Sequence, residues 1–120
     1  MDPARKKRIL AIDDEVMILD AMKIIFEEMG YEVAIHGNSA DGLAAAIQTP
    51  FDLIVVDVRM PGKNGAEVTE EILSSRPGAK VLVITAYPDD PLASRALKAG
   101  AVGLVRKPFE IARVLDFLKD

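Results

Sequence analysis

Three carboxylates, a hydroxyl and an ammonium close four separate apolar runs in this sequence. Asp13 and Asp14 follow Ile9-Leu10-Ala11-Ile12, Asp57 follows Leu53-Ile54-Val55-Val56, Thr85 follows Val81-Leu82-Val83-Ile84, and Lys107 follows Val102-Gly103-Leu104-Val105-Arg106. Brought together, Asp13, Asp14 and Asp57 would repel one another until a proton, a neighbouring cation or a metal relieved the charge. A hard divalent cation is the economical solution. Carboxylates, waters and a backbone carbonyl form an all-oxygen donor set that suits Mg²⁺. Lys107 adds a second positive charge and Thr85 a hydroxyl donor. That is equipment for phosphoryl transfer, in which charge spreads over equatorial oxygens while an ionised carboxylate attacks in line. Asp57 is the candidate nucleophile, since a rigid apolar run ends on it and a loop follows.

These groups converge only if the four runs lie side by side. The runs are short, rich in Ile, Val and Leu, and do not alternate with polar residues, as expected of strands buried on both faces of a parallel sheet. Between them the apolar spacing turns helical. Ile18, Met22, Ile25 and Met29 predict a first helix with that face inward, stopped by Gly30. Residues 31–36 alternate as a half-exposed edge strand that ends at a solvent-facing His36. Asn38 or Ser39 caps a second helix carrying Leu43, Ala46 and Ile47, closed by Pro50, and a third strand begins at Phe51.

The segment Met60-Pro61-Gly62-Lys63-Asn64-Gly65 reads as a turn before a third helix with Val68, Ile72 and Leu73, which ends near Pro77-Gly78. Tyr87-Pro88-Asp89-Asp90-Pro91 is a stiff loop before a fourth helix through Leu92, Ala96 and Leu97, stopped at Gly100. A last helix from about Glu110 places Ile111, Val114, Leu115 and Leu118 on one face, and Met17, Met22 and Met29 are assigned to core packing. Strand then helix, five times over, predicts a doubly wound α/β sandwich with its site at the carboxyl edge of the sheet.

At 120 residues, half of them hydrophobic and 28% charged, the expectation is one folded domain over residues 1–120, with any output domain outside this chain. The net charge of −4 disfavours a grip on nucleic acid through its phosphates. With no cysteine, thiolate metal sites and disulfides are excluded, which suits a cytoplasmic location. No run approaches the ~20 apolar residues that span a bilayer, and the basic start Arg5-Lys6-Lys7-Arg8 reads as a solvated lead-in to the first strand. A lone histidine, His36, excludes a histidine-rich metal site.

Taken singly, each site residue has an ordinary explanation: Asp13 or Asp14 a helix cap, Asp57 a turn residue, Thr85 a satisfied hydroxyl, Lys107 a solvated cation. Their joint placement carries more. Asp13-Asp14, then Asp57-Val58-Arg59-Met60-Pro61 with Gly65, then Thr85-Ala86, then Lys107-Pro108 give a sequence that, from about residue 9 to 118, resembles the receiver domain of two-component response regulators.

The resemblance implies a flavodoxin-like (βα)5 fold with strand order 2-1-3-4-5, and phosphorylation of Asp57 by the phosphohistidine of a sensor histidine kinase or a histidine phosphotransfer protein. It implies direct Mg²⁺ ligation by Asp14, Asp57 and the backbone carbonyl of Arg59, with Asp13 acting through water. Lys107 would pair with the phosphoryl oxygens, Thr85 would move to hydrogen-bond them, and the Lys107-Pro108 bond would be cis. The fourth helix, fifth strand and fifth helix would form a surface for homodimers or partners. The resemblance implies a signalling switch without metabolic turnover, limited to its own phosphorylation and dephosphorylation.

One departure stands out: Leu104 occupies the position where such domains usually carry an aromatic ring that turns inward on activation. Tyr87, on the same loop as Thr85, is a candidate substitute reporter, against the plainer assignment of a surface tyrosine. Arg59 and Tyr87, two residues beyond Asp57 and Thr85, flank the route of hydrolytic water in this family. The alternative function is a phosphorylation-independent interaction domain. A hydrolase using an aspartyl phosphate would be expected to carry a second carboxylate where Arg59 stands, and a flavin protein of this fold would meet a repulsive acidic edge.

Overall fold

The computed structural model describes residues 6–108 and 110–118, so Arg5 of the basic start lies outside the described residues. The elements follow in the order β1 (Arg8–Ile12), α1 (Val16–Glu28), β2 (Glu32–His36), α2 (Ser39–Gln48), β3 (Leu53–Asp57), α3 (Gly65–Ser75), β4 (Val81–Thr85), α4 (Pro91–Ala99), β5 (Gly103–Arg106) and a terminal 3₁₀ helix (Ile111–Leu118). All strand pairs are parallel, and the order is β2-β1-β3-β4-β5. This is the doubly wound, flavodoxin-like sandwich expected from the sequence.

Every residue of β3 and β4 is buried, which accounts for their unbroken apolar character. Alternate residues serve opposite faces. Ile9, Ala11, Leu53, Val55, Leu82, Ile84 and Val105 pack against α1 and the terminal 3₁₀ helix. Leu10, Ile12, Ile54, Val56 and Val81 meet α2 and α3, and Val83 joins Val58, Ala66, Ala93 and Ala96 beneath α3 and α4.

Three expectations are corrected. The buried stripe of α1 is Leu19, Met22 and Phe26, whereas Met17 is 84% exposed, Met29 62% and Ile25 39%. Apolar residues occur all around this helix, so periodicity could not single out the face that packs. The last element is 3₁₀ rather than α-helical, although Ile111, Val114 and Leu118 are its buried positions and Leu115 packs against the same core. The basic lead-in is not simply solvated: Lys7 Nζ donates to the Leu118 carbonyl at 2.7 Å and the Arg8 guanidinium lies over the Phe51 ring. One boundary also shifts, β3 starting at Leu53, and His36, which does end β2, is half-buried instead of solvent-facing.

Helix ends follow local chemistry. Asn38 caps α2, and Gly100 ends α4 with φ +121°, a conformation that side-chain-bearing residues rarely adopt. At the start of α3, Asn64 accepts from the Glu67 amide while the Glu67 carboxylate accepts from the Asn64 amide, a capping box that fixes the helix directly after the Asp57 loop.

Candidate functional site

Backbone pairing carries the sheet just past its strands and so fixes the polar residues at the carboxyl edge. The Asp13 amide donates to the His36 carbonyl at 3.2 Å, the Val58 amide to Ile84 at 3.0 Å, and the Lys107 amide to Thr85 at 2.9 Å. Gly65 then allows α3 to start beneath Asp57. Its amide donates to the Val58 carbonyl at 2.8 Å, and a Cβ on it would overlap the Asp57 carbonyl oxygen and lie 2.7 Å from Val58 Cα. The Lys107-Pro108 peptide is cis.

Four of the five expected side chains are buried: Asp13, Asp57, Thr85 and Lys107; Asp14 is exposed at the rim. Lys107 Nζ lies 3.2 Å from Asp13 Oδ2 and 3.3 Å from Asp57 Oδ2. Asp13 Oδ1 accepts the Glu15 amide at 2.8 Å and Asp57 Oδ1 the Arg59 amide at 3.3 Å. Asp13, Asp14 and Asp57 can each present one oxygen such that all three lie within 4.8 Å of one another.

Two buried carboxylates against one buried ammonium are short of positive charge. Burial, reinforced by the charge of Asp13, pushes the Asp57 carboxyl up to about 7 against the pull of Lys107 and the Arg59 amide. Burial also raises Asp13, although the Glu15 amide and Lys107 oppose it. For Lys107, burial disfavours the charge, but Glu15, Asp13 and Asp57 outweigh it and hold the ammonium above its ordinary value. An all-oxygen set with excess negative charge at the carboxyl edge of the sheet fits a hard divalent cation and disfavours a softer metal.

Thr85 is at the edge, but its hydroxyl is engaged elsewhere, accepting the Tyr87 amide at 3.0 Å and facing the Tyr87 carbonyl at 3.3 Å. Tyr87 is 72% exposed, as the plainer assignment has it. Leu104 is half-buried against the cluster of Val58, Val83, Ala93 and Ala96. The Arg59 side chain turns away from Asp57 and makes a bidentate pair with Asp90, at 2.6 and 2.9 Å.

Glu15 and Asp90 are site residues that the sequence pattern does not mark. Glu15 makes a short ion pair with Lys107, 92 positions away, and Asp90 is the cap of α4, accepting the Leu92 amide at 2.9 Å. A third acidic residue directly after Asp13-Asp14 is the one available hint for Glu15. Asp before Pro91, where a helix begins, is the hint for Asp90 as a cap, though nothing local signals its arginine partner.

Residues 9–119 match the response regulator receiver domain family. The chain is 37% identical over 110 residues to a response regulator receiver protein of Anaeromyxobacter sp., covering 92% of this chain and 46% of that protein. It is 34% identical over 115 residues to the chemotaxis protein CheY of Thermotoga maritima, covering 93% and 94% of the two chains. The structure superposes on a CheY-like receiver domain from Methanospirillum hungatei with a TM-score of 0.87 at 36% identity, covering 93% and 90%. The chain therefore spans nearly all of one such relative and about half of another. Among the described residues no helix is long and apolar enough to cross a membrane.

Proposed function

The chain belongs to the response regulator receiver domain family, and on that premise we propose that Asp57 is the phosphoacceptor of a Mg²⁺-dependent signalling switch. The observation that carries this reading is the Lys107 ammonium held 3.3 Å from Asp57 and 3.2 Å from Asp13 in a buried acidic cluster. A carboxylate oxygen of Asp57 attacks the phosphorus of a partner's phosphohistidine. The P–O bond to Asp57 forms as the P–N bond breaks, and the imidazole leaves with the electron pair and takes up a proton.

Asp14, Asp57 and the Arg59 carbonyl would hold Mg²⁺, with Asp13 acting through water; when bound, the ion supplies charge stabilisation to the transferring group. Lys107 neutralises the second share of that charge. Thr85 must leave the Tyr87 backbone to reach the phosphoryl oxygens, so phosphorylation and the shape of the loop between β4 and α4 are linked. The donor is a sensor histidine kinase or a histidine phosphotransfer protein, and the setting is cytoplasmic. The face built from α4, β5 and the terminal 3₁₀ helix, where Leu97 is 40% exposed and Val102 44%, is the surface for a second copy or an effector; the domain itself does not contact nucleic acid.

The test is incubation with acetyl phosphate and Mg²⁺, read by intact mass. A labile adduct of one phosphoryl group is expected, lost in Asp57→Asn and on chelation of the metal. An adduct undiminished in Asp57→Asn, or no adduct, would leave a phosphorylation-independent interaction domain as the better reading.

A further inference from the structure

The pair between Arg59 and Asp90 links two places that the proposed switch must coordinate. Arg59 sits two residues beyond Asp57 and its amide donates to the Asp57 carboxylate at 3.3 Å. Asp90 caps α4 through the Leu92 amide, and its own amide donates to the Tyr87 carbonyl at 3.0 Å. The Tyr87 amide and carbonyl are the groups that hold the Thr85 hydroxyl. A continuous polar chain thus runs from Asp57 through Arg59, Asp90 and Tyr87 to Thr85.

The two ends of the pair are unequal. The Asp90 side chain is 4% exposed, whereas Arg59 is 64% exposed. The buried carboxylate is fixed by its capping role, while the guanidinium reaches it from solvent and is free to leave. Arginine's planar fork donates to the oxygens of a phosphoryl group as readily as to those of a carboxylate, and bidentate geometry suits both. A phosphoryl group carries nearly two negative charges at neutral pH.

We infer that Arg59 is a clasp: paired with Asp90 it holds the segment from Thr85 to Asp90 in its unengaged form, and a phosphoryl group on Asp57 draws the guanidinium away and releases that segment. The inference rests on the phosphoacceptor reading of Asp57. It gives the chain a polar route from Asp57 to α4 beside Leu104, which has no ring to turn. Arg59 acts here as a positioning residue, through Asp90, on the loop that carries Thr85.

Because the clasp opposes the engaged state, breaking it from the Asp90 side raises affinity for a phosphoryl mimic, by the reciprocity of linked equilibria. Asp90→Asn is the informative variant, since asparagine caps a helix as well as aspartate does but forms no ion pair. Arg59→Gln breaks the same pair and also removes the group that the phosphoryl would attract. Beryllofluoride with Mg²⁺ is titrated into the full chain and followed by NMR at the Arg59 Nε–H and at the amides of Thr85, Tyr87, Leu92 and Ala93.

In the parent protein the Arg59 Nε–H resonance is expected to move away from its paired position as the loop amides shift. Asp90→Asn is expected to bind the mimic 3- to 10-fold more tightly, with its unliganded Leu92 and Ala93 amides already displaced toward the bound positions; Arg59→Gln is expected to bind less tightly than Asp90→Asn. A tie that is merely structural would change stability alike in both variants and leave their affinities equal to the parent's, which overturns the inference. An adduct at Asp57 with an unmoved Arg59 resonance overturns it alone, whereas no response at Asp57 overturns the phosphoacceptor reading and the clasp with it.

Discussion

The ammonium of Lys107 lies 3.3 Å from Asp57 Oδ2, with both side chains almost wholly buried. It reaches this position from the end of β5, across β4, and the same nitrogen lies 3.2 Å from Asp13 at the end of β1. Three strands therefore share one cation, and the carboxyl edge is held by a charge contact as well as by backbone pairing.

Lys107→Met separates the roles of this cation. Removing one partner of a buried ion pair typically costs about 3–5 kcal/mol; protonation of Asp57 and the ion pair with exposed Glu15 reduce this, so a loss of about 2–4 kcal/mol is expected in denaturant unfolding without metal at pH 7. Phosphorylation by acetyl phosphate should fall at least tenfold. Mg²⁺ affinity should instead rise, because the acidic cluster loses its internal counter-charge. A parallel fall in metal affinity and phosphorylation would show that Lys107 shapes the metal site rather than neutralising the phosphoryl group.

The raised Asp57 carboxyl gives a distinct pH signature. Between its unfolded value of 3.8 and about 7, the folded chain binds more protons at this group than the unfolded chain does. By linkage, that contribution makes metal-free stability fall as pH rises through this window, by up to about 4 kcal/mol. Asp57→Asn should flatten this part of the profile and stabilise the metal-free protein at pH 7. Mg²⁺ competes with the same proton, so its apparent affinity should climb to about pH 7 and level off above, and at 100 times its Kd it should add about 2.7 kcal/mol. Thermal melting across pH with and without Mg²⁺ reads both; a metal-free stability that rises steadily between pH 4 and 7 in the parent and not in Asp57→Asn would contradict the burial of an uncompensated carboxylate.

Gly65→Ala tests the wall beneath Asp57. Its Cβ would meet backbone, the Asp57 carbonyl oxygen and Val58 Cα, which cannot rotate aside. Overpacking costs about 1–3 kcal/mol, and because Gly65 opens α3 instead of lying in its interior, little of the roughly 1 kcal/mol that alanine gains over glycine inside a helix offsets it. A net loss of about 1–3 kcal/mol is expected, with slower phosphorylation as the end of β3 shifts. Gly78→Ala, where nothing lies within 4 Å of a Cβ, should lie within about 0.5 kcal/mol of the parent. Equal stabilities for the two variants would contradict the close approach.

The sheet was legible because strands buried on both faces leave a run of Val, Ile and Leu with no polar interruption, and because the first polar residue after such a run marks the edge. Asp13, Asp57 and Thr85 could thus be placed from order alone, whereas Lys107 comes one residue later, after the exposed Arg106 that ends β5. The face of α1 could not, since Met17, Ile24 and Ile25 are as apolar as the buried Leu19, Met22 and Phe26. The roles of Glu15 and Asp90 were hidden for another reason. Each meets its cation through the fold, Glu15 with Lys107 and Asp90 with Arg59, and no local pattern records a partner 92 or 31 positions away. The 3₁₀ form of the last helix was likewise concealed, because Ile111, Val114 and Leu118 are spaced by three and then four, which either helix accommodates.

The close approach of Gly65 to the end of β3 also sets a direction. On that side Asp57 abuts backbone against backbone, locked by the bond from Gly65 to Val58 and by the capping box of Asn64 and Glu67. On the other side it faces a loop whose polar groups are tied by side chains and can be re-paired. Asp57 therefore stands between an anvil and a spring: on its reading as a phosphoacceptor, a group added there is expected to act on β4 and α4, the side whose contacts are held by side chains that can re-pair.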